Sequence, residues 1–82
     1  MLKMDELQTI TYSLAEIKDD SSIPKNVREN IEKTIIILGN NSETSIKINK
    51  ALDLIGDVAD DINLQPYTRT QLLDIVSILE RL

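Results

Sequence analysis

The fold is decided by a short stretch, residues 14–28, which reads LAEIKDDSSIPKNVR. The same pattern returns 41 residues later, over residues 55–69, as IGDVADDINLQPYTR. Each copy begins with apolar residues at helical spacing and is interrupted by an Asp-Asp pair. A proline then marks the start of a second helix, and an arginine lies in the first turns of that helix. We therefore predict a helical hairpin that occurs twice, over roughly residues 1–39 and 42–82.

The two copies agree in both polar and apolar positions. The identical pairs are Asp19/Asp60, Asp20/Asp61, Arg28/Arg69 and Leu38/Leu79. The matching apolar pairs are Leu14/Ile55, Ile17/Val58, Ile23/Leu64, Ile31/Leu72 and Ile35/Val76. Only the prolines miss, because Pro24 aligns with Gln65 while Pro66 comes one residue later.

Four amphipathic segments carry the helical period, and none reads as a strand. We predict helices over about residues 3–18, 24–38 and 66–81, and a third helix that follows a polar connection at residues 40–43 and runs to about residue 61. Ser22 is the expected N-cap of the second helix, and Asn41 or Ser42 that of the third. Gly39 suits the left-handed position that often ends a helix.

The third helix has an inward face that we expect to include Ile62 at its far end. Gly56, like Ala15 in the first helix, is a small residue that would allow another helix to approach closely. The full predicted inward face is Ile48, Ala51, Leu52, Ile55, Ala59 and Ile62.

The composition excludes several classes of chemistry. The chain has 82 residues and neither Cys nor His, so it lacks thiolate and imidazole catalysis, disulfides and Cys/His zinc sites. Its net charge of −5 opposes binding to a nucleic-acid backbone or an anionic membrane. No cofactor is indicated. The absence of a signal-peptide pattern or a long apolar run leads us to expect a cytoplasmic protein.

A chain this short forms one domain, residues 1–82. Two hairpins are too few for a solenoid, whereas they can close on each other. We predict an all-α, antiparallel up-down four-helix bundle. The alternative is a pair of hairpins of the HEAT type, stacked side by side.

Short motifs in both halves resemble those of a small uncharacterised archaeal protein family of about this length. One is a Pro-x-Asn-(Ile/Val)-Arg segment, here Pro24 to Arg28, and the other a Thr-Arg-Thr segment, here Thr68 to Thr70. The family often has Trp and His near the second segment, and this chain has neither. The resemblance implies a compact four-helix bundle and no particular activity.

The most distinctive polar set joins the two acidic breaks to the two arginines. We expect each arginine to bridge its own hairpin by bonding the acidic break or the end of the preceding helix, since its planar fork carries five donors. The alternative is a symmetric pair of polar sites that bind a partner. The set is Asp19, Asp20, Arg28, Asp60, Asp61 and Arg69.

A second polar set lies on the third helix, where Asp53, Asp57 and Asp60 share one stripe. Such carboxylates could hold Mg²⁺ or Ca²⁺. A solvated charged face is the more ordinary interpretation, so we assign no metal or catalytic residue.

Several apolar residues lie off the inward faces, and they suggest an interaction surface. These are Tyr12, Ile36, Leu73 and Ile78. The function we expect is a non-enzymatic module that binds a protein partner or a second copy of itself, with no nucleic acid or membrane involved. The alternative is a small metal-binding protein or enzyme that uses carboxylates.

Overall fold

The computed structural model describes the backbone of residues 2–82 and the side chains from Glu6 onward. These residues form four α-helices and no strand. The helices are α1 (Leu2–Lys18), α2 (Lys25–Gly39), α3 (Thr44–Ala59) and α4 (Pro66–Arg81). The predicted all-α fold is confirmed. No helix of this part of the chain is long and apolar enough to cross a bilayer.

The helices pack as an up-down four-helix bundle, with principal contacts between neighbours in the sequence. α1 packs on α2, α3 packs on α4, and the most extensive contact joins α2 to α3. The molecule measures 35 × 19 × 19 Å between Cα atoms. The turns within the two hairpins therefore share one end of the bundle, here called the turn end. The α2–α3 connection lies at the other end, called the open end.

The two hairpins contribute the same positions to one hydrophobic core. Almost every buried residue has a buried counterpart 41 positions away, so the register of the sequence repeat is also the register of the packing. The buried pairs are Ile10/Ala51, Leu14/Ile55, Ile17/Val58, Ile23/Leu64, Val27/Thr68, Ile31/Leu72, Thr34/Ile75 and Leu38/Leu79.

The start of α2 differs from the prediction, because Ser22 does not cap it. Pro24 is the N-cap residue, with φ −62° and ψ 153°, and no side chain caps the helix. Ser22 lies two residues before the N-cap, where its backbone N–H and its hydroxyl both donate to Asp20 Oδ1, at 2.8 and 2.7 Å. In α4 the N-cap is Gln65 and Pro66 follows at the first helical position. Positions 24 and 65 are thus structurally equivalent despite the misaligned prolines.

The connection between the hairpins also departs from the prediction. Gly39 is the last residue of α2 and no residue of the described backbone has a positive φ, so its expected left-handed conformation was wrong. The chain instead leaves the helix through Asn40 in an extended conformation, with φ −84° and ψ −180°. Glu43, rather than Asn41 or Ser42, is the N-cap of α3, and its side chain makes no capping bond.

Two expectations for α3 were wrong. Ile62 is 90% exposed because the helix ends at Ala59, and the helical period no longer governs which way residue 62 points. Leu64 is the buried residue of that turn. A Cβ atom added at Gly56 would meet nothing within 4 Å, so this glycine does not permit a close helix approach.

Candidate functional site

At the turn end, an arginine in each hairpin binds the end of the preceding helix. Arg28 donates from Nε to the Lys18 carbonyl at 3.2 Å and from Nη2 to the Asp20 carbonyl at 3.2 Å. The first hairpin is thereby tied at its turn by a guanidinium that binds one carbonyl at the end of α1 and one in the turn that follows. We call this arrangement the first arginine clamp.

The second arginine clamp repeats the geometry 41 residues later. Arg69 donates from Nε to the Ala59 carbonyl at 2.9 Å and from Nη2 to the Asp61 carbonyl at 2.7 Å. Its bonds are shorter than those of Arg28, and both are partly buried, whereas the outer bond of Arg28 is exposed. The donors of both arginines are therefore turned toward their own hairpins.

The aspartates of the acidic breaks also bond to the turns. The backbone N–H of Ser22, followed by its hydroxyl and the charge of Arg28, lowers the pKa of the Asp20 carboxyl below its ordinary 3.8. Asp61 Oδ1 accepts the backbone N–H of Asn63 at 2.8 Å, the same bond at the equivalent position. These carboxylates hold turn backbone in place.

One bond at the turn end links the two hairpins to each other. Asn26 Nδ2 donates to Asp61 Oδ2 at 3.0 Å. This bond is the largest cause of the lowered pKa of Asp61, ahead of the Asn63 N–H and the charge of Arg69. Nothing equivalent exists at Asp20, because the residue 41 positions after Asn26 is Tyr67.

At the open end, each hairpin leaves a groove beside its helix ends. The first groove lies between α1, the end of α2 with the connection that follows it, and the first turn of α3, and its volume is about 780 Å³. Its accessible surface is mostly apolar, and Lys47 is the one charged residue among the described side chains that line it. The lining is Leu7, Gln8, Thr11, Tyr12, Ala15, Leu38, Gly39, Asn40, Asn41, Ser42, Thr44 and Lys47.

The second groove lies between the first half of α3 and the end of α4, and it encloses about 550 Å³. It is the repeat of the first groove, because most of its lining is displaced by 41 residues from residues that line the first. The shared pairs are Leu7/Ile48, Gln8/Asn49, Thr11/Leu52, Leu38/Leu79, Gly39/Glu80 and Asn41/Leu82.

The two grooves differ at a few positions, and the first one is the larger. Glu80 of the second groove is replaced by Gly39, which has no side chain. Leu82, which packs against the core beside the second groove, is replaced by Asn41, which is exposed. Tyr12 lines the first groove, whereas its counterpart Asp53 does not line the second.

The apolar residues predicted to form an interaction surface are distributed over three helices. Tyr12 on α1, Ile36 on α2 and Leu73 on α4 are 69%, 65% and 49% exposed. Of these, Tyr12 lines a groove. Ile78 is half-buried and packs against the core.

Sequence reasoning did not predict that Tyr67 would be an exposed aromatic residue, and it did not predict the grooves. Tyr67, which is 73% exposed, lies in the first turn of α4. It could have been found by its alignment with the polar residue Asn26. The grooves depend on how the helices pack against one another, for which the sequence carries no direct signal.

The carboxylates on the outer stripe of α3 do not form a metal centre in this structure. Asp53, Asp57 and Asp60 are all exposed. Among the side chains from Glu6 onward, no group of three or more potential ligands is placed to hold a metal ion.

The fold and these features define a class of small all-α proteins: two clamped helical hairpins packed as one bundle, with an apolar groove at the open end. The chain belongs to the uncharacterised protein family UPF0147, whose model matches residues 2–82. This agrees with the small archaeal family that its motifs resemble.

Its relatives are archaeal proteins of similar length. It is 33% identical over 76 residues to UPF0147 protein MJ1419 of Methanocaldococcus jannaschii, covering 92% of this chain and 82% of that protein. It is 34% identical over 68 residues to a UPF0147 protein of Methanosarcina mazei, covering 82% and 73%. The crystal structure of the unknown-function protein MMP1188 superimposes with a TM-score of 0.91 at 32% identity, covering 96% of this chain and 91% of that one.

Proposed function

We propose that this protein is a non-catalytic binding module, and that a partner protein docks into the first groove. The observation that carries the proposal is the groove itself, an apolar concavity with a tyrosine ring at its edge. Its volume of about 780 Å³ lies within the ordinary range of binding sites, roughly 300–1,000 Å³. Tyrosine is enriched among the residues that dominate binding energy at protein interfaces.

The position of the shifted carboxyls favours binding over catalysis. Carboxylate catalysis calls for ionisable groups with perturbed pKa values inside a pocket. Among the side chains that the structure describes, Asp20 and Asp61 are the carboxyls with shifted pKa values, and both face turn backbone at the turn end. Neither lines a groove, and none of the described carboxylates lines the first groove.

The charge favours a protein as the partner. A net charge of −5 repels both a nucleic-acid backbone and an anionic lipid surface. The first groove presents mainly uncharged side chains, which suit the apolar residues of another protein. We place this binding in the cytoplasm.

Site-specific cross-linking tests the proposal with a control that the chain provides. Benzoylphenylalanine replaces Tyr12 in one variant and Tyr67 in another; the two rings are 69% and 73% exposed, but only Tyr12 lines the groove. Each variant is illuminated in a lysate of the native cell. We expect the variant at position 12 to form one discrete adduct, with a yield at least ten times that of the variant at position 67.

A second substitution checks that the adduct depends on the groove. Gly39→Glu introduces on the groove wall the residue type found at the equivalent position 80, and its Cβ would meet nothing within 4 Å. We expect this variant to fold and to lose the adduct at position 12. Equal adducts at positions 12 and 67, or an adduct that Gly39→Glu leaves unchanged, would contradict the proposal.

A further inference from the structure

The connection between α2 and α3 is built on the same plan as the two hairpin turns. In each of the three, a polar side chain just after a helix accepts the backbone N–H of the residue two positions on, at 2.8, 2.9 and 2.8 Å along the chain. A cationic side chain of the following helix then binds the backbone carbonyl of that same polar residue. These pairs are Arg28 on Asp20, Lys47 on Asn40 and Arg69 on Asp61, at 3.2, 3.2 and 2.7 Å.

The version in the connection is held by the weakest bonds of the three. Asn40 is a neutral acceptor, whereas the aspartates of the hairpin turns are carboxylates, whose hydrogen bonds are about twice as strong. Each arginine also binds a second carbonyl through Nε, at 3.2 and 2.9 Å. Among the described side chains, Lys47 makes one such bond, and that bond is exposed. An exposed bond of this kind contributes little to stability.

The two hairpin turns are also anchored in the core, and the connection is not anchored in the same way. Ile23 and Leu64 donate their N–H groups to the carbonyl of the clamped aspartate at 3.3 and 3.1 Å, and both side chains are buried. The equivalent residue of the connection is Glu43, which is exposed, and residues 39–46 are exposed throughout. A segment with so few buried contacts opens locally at a lower free energy than the core beside it.

The connection is at the same time one wall of the first groove. The residues of this wall are Gly39, Asn40, Asn41, Ser42, Thr44 and Lys47. The facing wall is formed by α1, whose inward side chain Leu14 is fully buried. One wall of the groove is therefore fixed to the core, whereas the other depends on the weakest of the three clamps.

We propose that the connection is a movable wall of the first groove, which moves outward when the bond between Lys47 and Asn40 opens and thereby widens the groove for the partner. The inference rests on the proposed function, because it concerns access to the same groove. The movement is local, since the buried residues of α2 and α3 stay in the core and the arginine clamps hold the opposite end of the bundle.

Exchange of amide protons with solvent tests the movement without any partner. NMR measures it at Ser22, Ser42 and Asn63, which donate the three equivalent N–H bonds, and each rate is divided by that of an unstructured peptide of the same sequence. We expect Ser42 to be protected about tenfold less than the other two. Lys47→Met should raise its rate about threefold, and Lys50→Met, at an exposed position of the same helix, should not. Equal protection at the three amides, or equal effects of the two lysine variants, would overturn the movement.

Two substitutions outside the lining test whether the movement controls access. Glu43 is the N-cap residue of α3 and is not among the described residues that line the groove. Glu43→Ser adds a cap that fixes the start of α3, and Glu43→Ala removes the same charge without adding a cap. We expect Glu43→Ser, compared with Glu43→Ala, to slow the exchange of Ser42 and to slow the formation of the adduct at position 12, each about threefold.

The two measurements separate this inference from the proposed function. Slower exchange of Ser42 with an unchanged rate of adduct formation would overturn the control of access and leave the proposed function standing. An exchange pattern as predicted, without a selective adduct at position 12, would overturn the proposed function but not the movement, which the exchange rates establish on their own.

Discussion

At the turn end, the conformation of each hairpin turn is held by the side chains of a few single residues. An arginine side chain binds two carbonyl groups of the preceding helix end and turn in each hairpin, and an aspartate accepts the N–H of the residue two positions on. The sequence indicated these residues because they repeat at an interval of 41. It could not indicate that the acceptors are backbone carbonyls rather than the acidic side chains, since that depends on the path of the turn.

The two arginine clamps should differ in strength. Hydrogen bonds from charged donors contribute about 1.5–3 kcal/mol when they are not fully exposed. We expect Arg69→Ala to lower the free energy of unfolding by about 2–3 kcal/mol, and Arg28→Ala by about 1 kcal/mol because its outer bond is exposed. Urea denaturation followed by circular dichroism measures both. Arg81→Ala, an exposed position in the last turn of α4, is the control, and losses no larger than this control would contradict the clamps.

The bond between the hairpins should be visible in a titration. Asn26→Ala removes the leading cause of the lowered Asp61 pKa, so that pKa should rise toward 3.8 while the pKa of Asp20 stays unchanged. NMR of the carboxyl carbons measures both groups in one experiment, with Asp20 as the internal control. An Asp61 pKa that does not move would show that Asn26 does not bond to it in solution.

The same shifts fix the direction of the pH dependence. Asp20 and Asp61 have pKa values below the ordinary 3.8 in the folded protein. Between the lowered pKa values and the ordinary one, the folded state therefore binds fewer protons than the unfolded state. Their contribution to stability is fully present above that ordinary pKa. It is lost as the pH falls through the lowered folded-state values. A free energy of unfolding that rises on acidification below pH 3.8 would contradict this sign.

At the level of the helices, a better N-cap at the start of α3 should raise the stability of the protein. Its N-cap residue Glu43 makes no side-chain capping bond, and the first turn carries no acidic residue. A serine at this position reaches the free N–H groups of the first turn. We expect Glu43→Ser to be about 1 kcal/mol more stable than Glu43→Ala, which loses the same charge without adding a cap. Equal melting temperatures of these two variants would contradict this view of the helix end.

The helices themselves could be predicted, whereas their ends could not. Apolar periodicity placed all four helices, because burial on one face dominates the stability of amphipathic helices. Ser22 failed as a cap because α2 begins at Lys25, so that the N-cap position falls on Pro24. Ile62 failed as a core residue because α3 ends three residues before it. Local competition of this kind is settled by the bonds that form in the folded turn.

At the scale of the whole molecule, two similar hairpins share one core. Buried residues of all four helices belong to a single cluster, so the loss of packing in either hairpin should affect the entire fold. Leu14 and Ile55 are repeat partners, and both are fully buried. We expect Leu14→Ala and Ile55→Ala each to cost about 2–5 kcal/mol, in one cooperative transition.

The control for this prediction is Ile36→Ala, at a position that is 65% exposed, with an expected change below about 0.5 kcal/mol. Circular dichroism reports the helices, and tyrosine absorbance reports the environments of Tyr12 and Tyr67. Midpoints that differ between these signals would indicate that the hairpins unfold separately.

The hairpin repeat was readable from the sequence, but the site that we propose was not. Gly39 ends α2 and Asn41 lies in the connection that follows, and nothing in the sequence marks either as a residue that lines a groove. Their position in the groove can be recognised only from the structure, in which Glu80 and Leu82 line the equivalent groove of the second hairpin. The difference between the two otherwise similar halves therefore locates the candidate site.

The function proposed for this protein is the binding of a partner protein in the first groove. It is tested most directly by mapping amide chemical shifts of the isotope-labelled protein as the partner cross-linked at position 12 is added. We predict the largest shifts at groove residues, among them Thr11, Gly39 and Asn41. Shifts concentrated instead at the turn end, around Asp20, Asp61 and Tyr67, would contradict the claim.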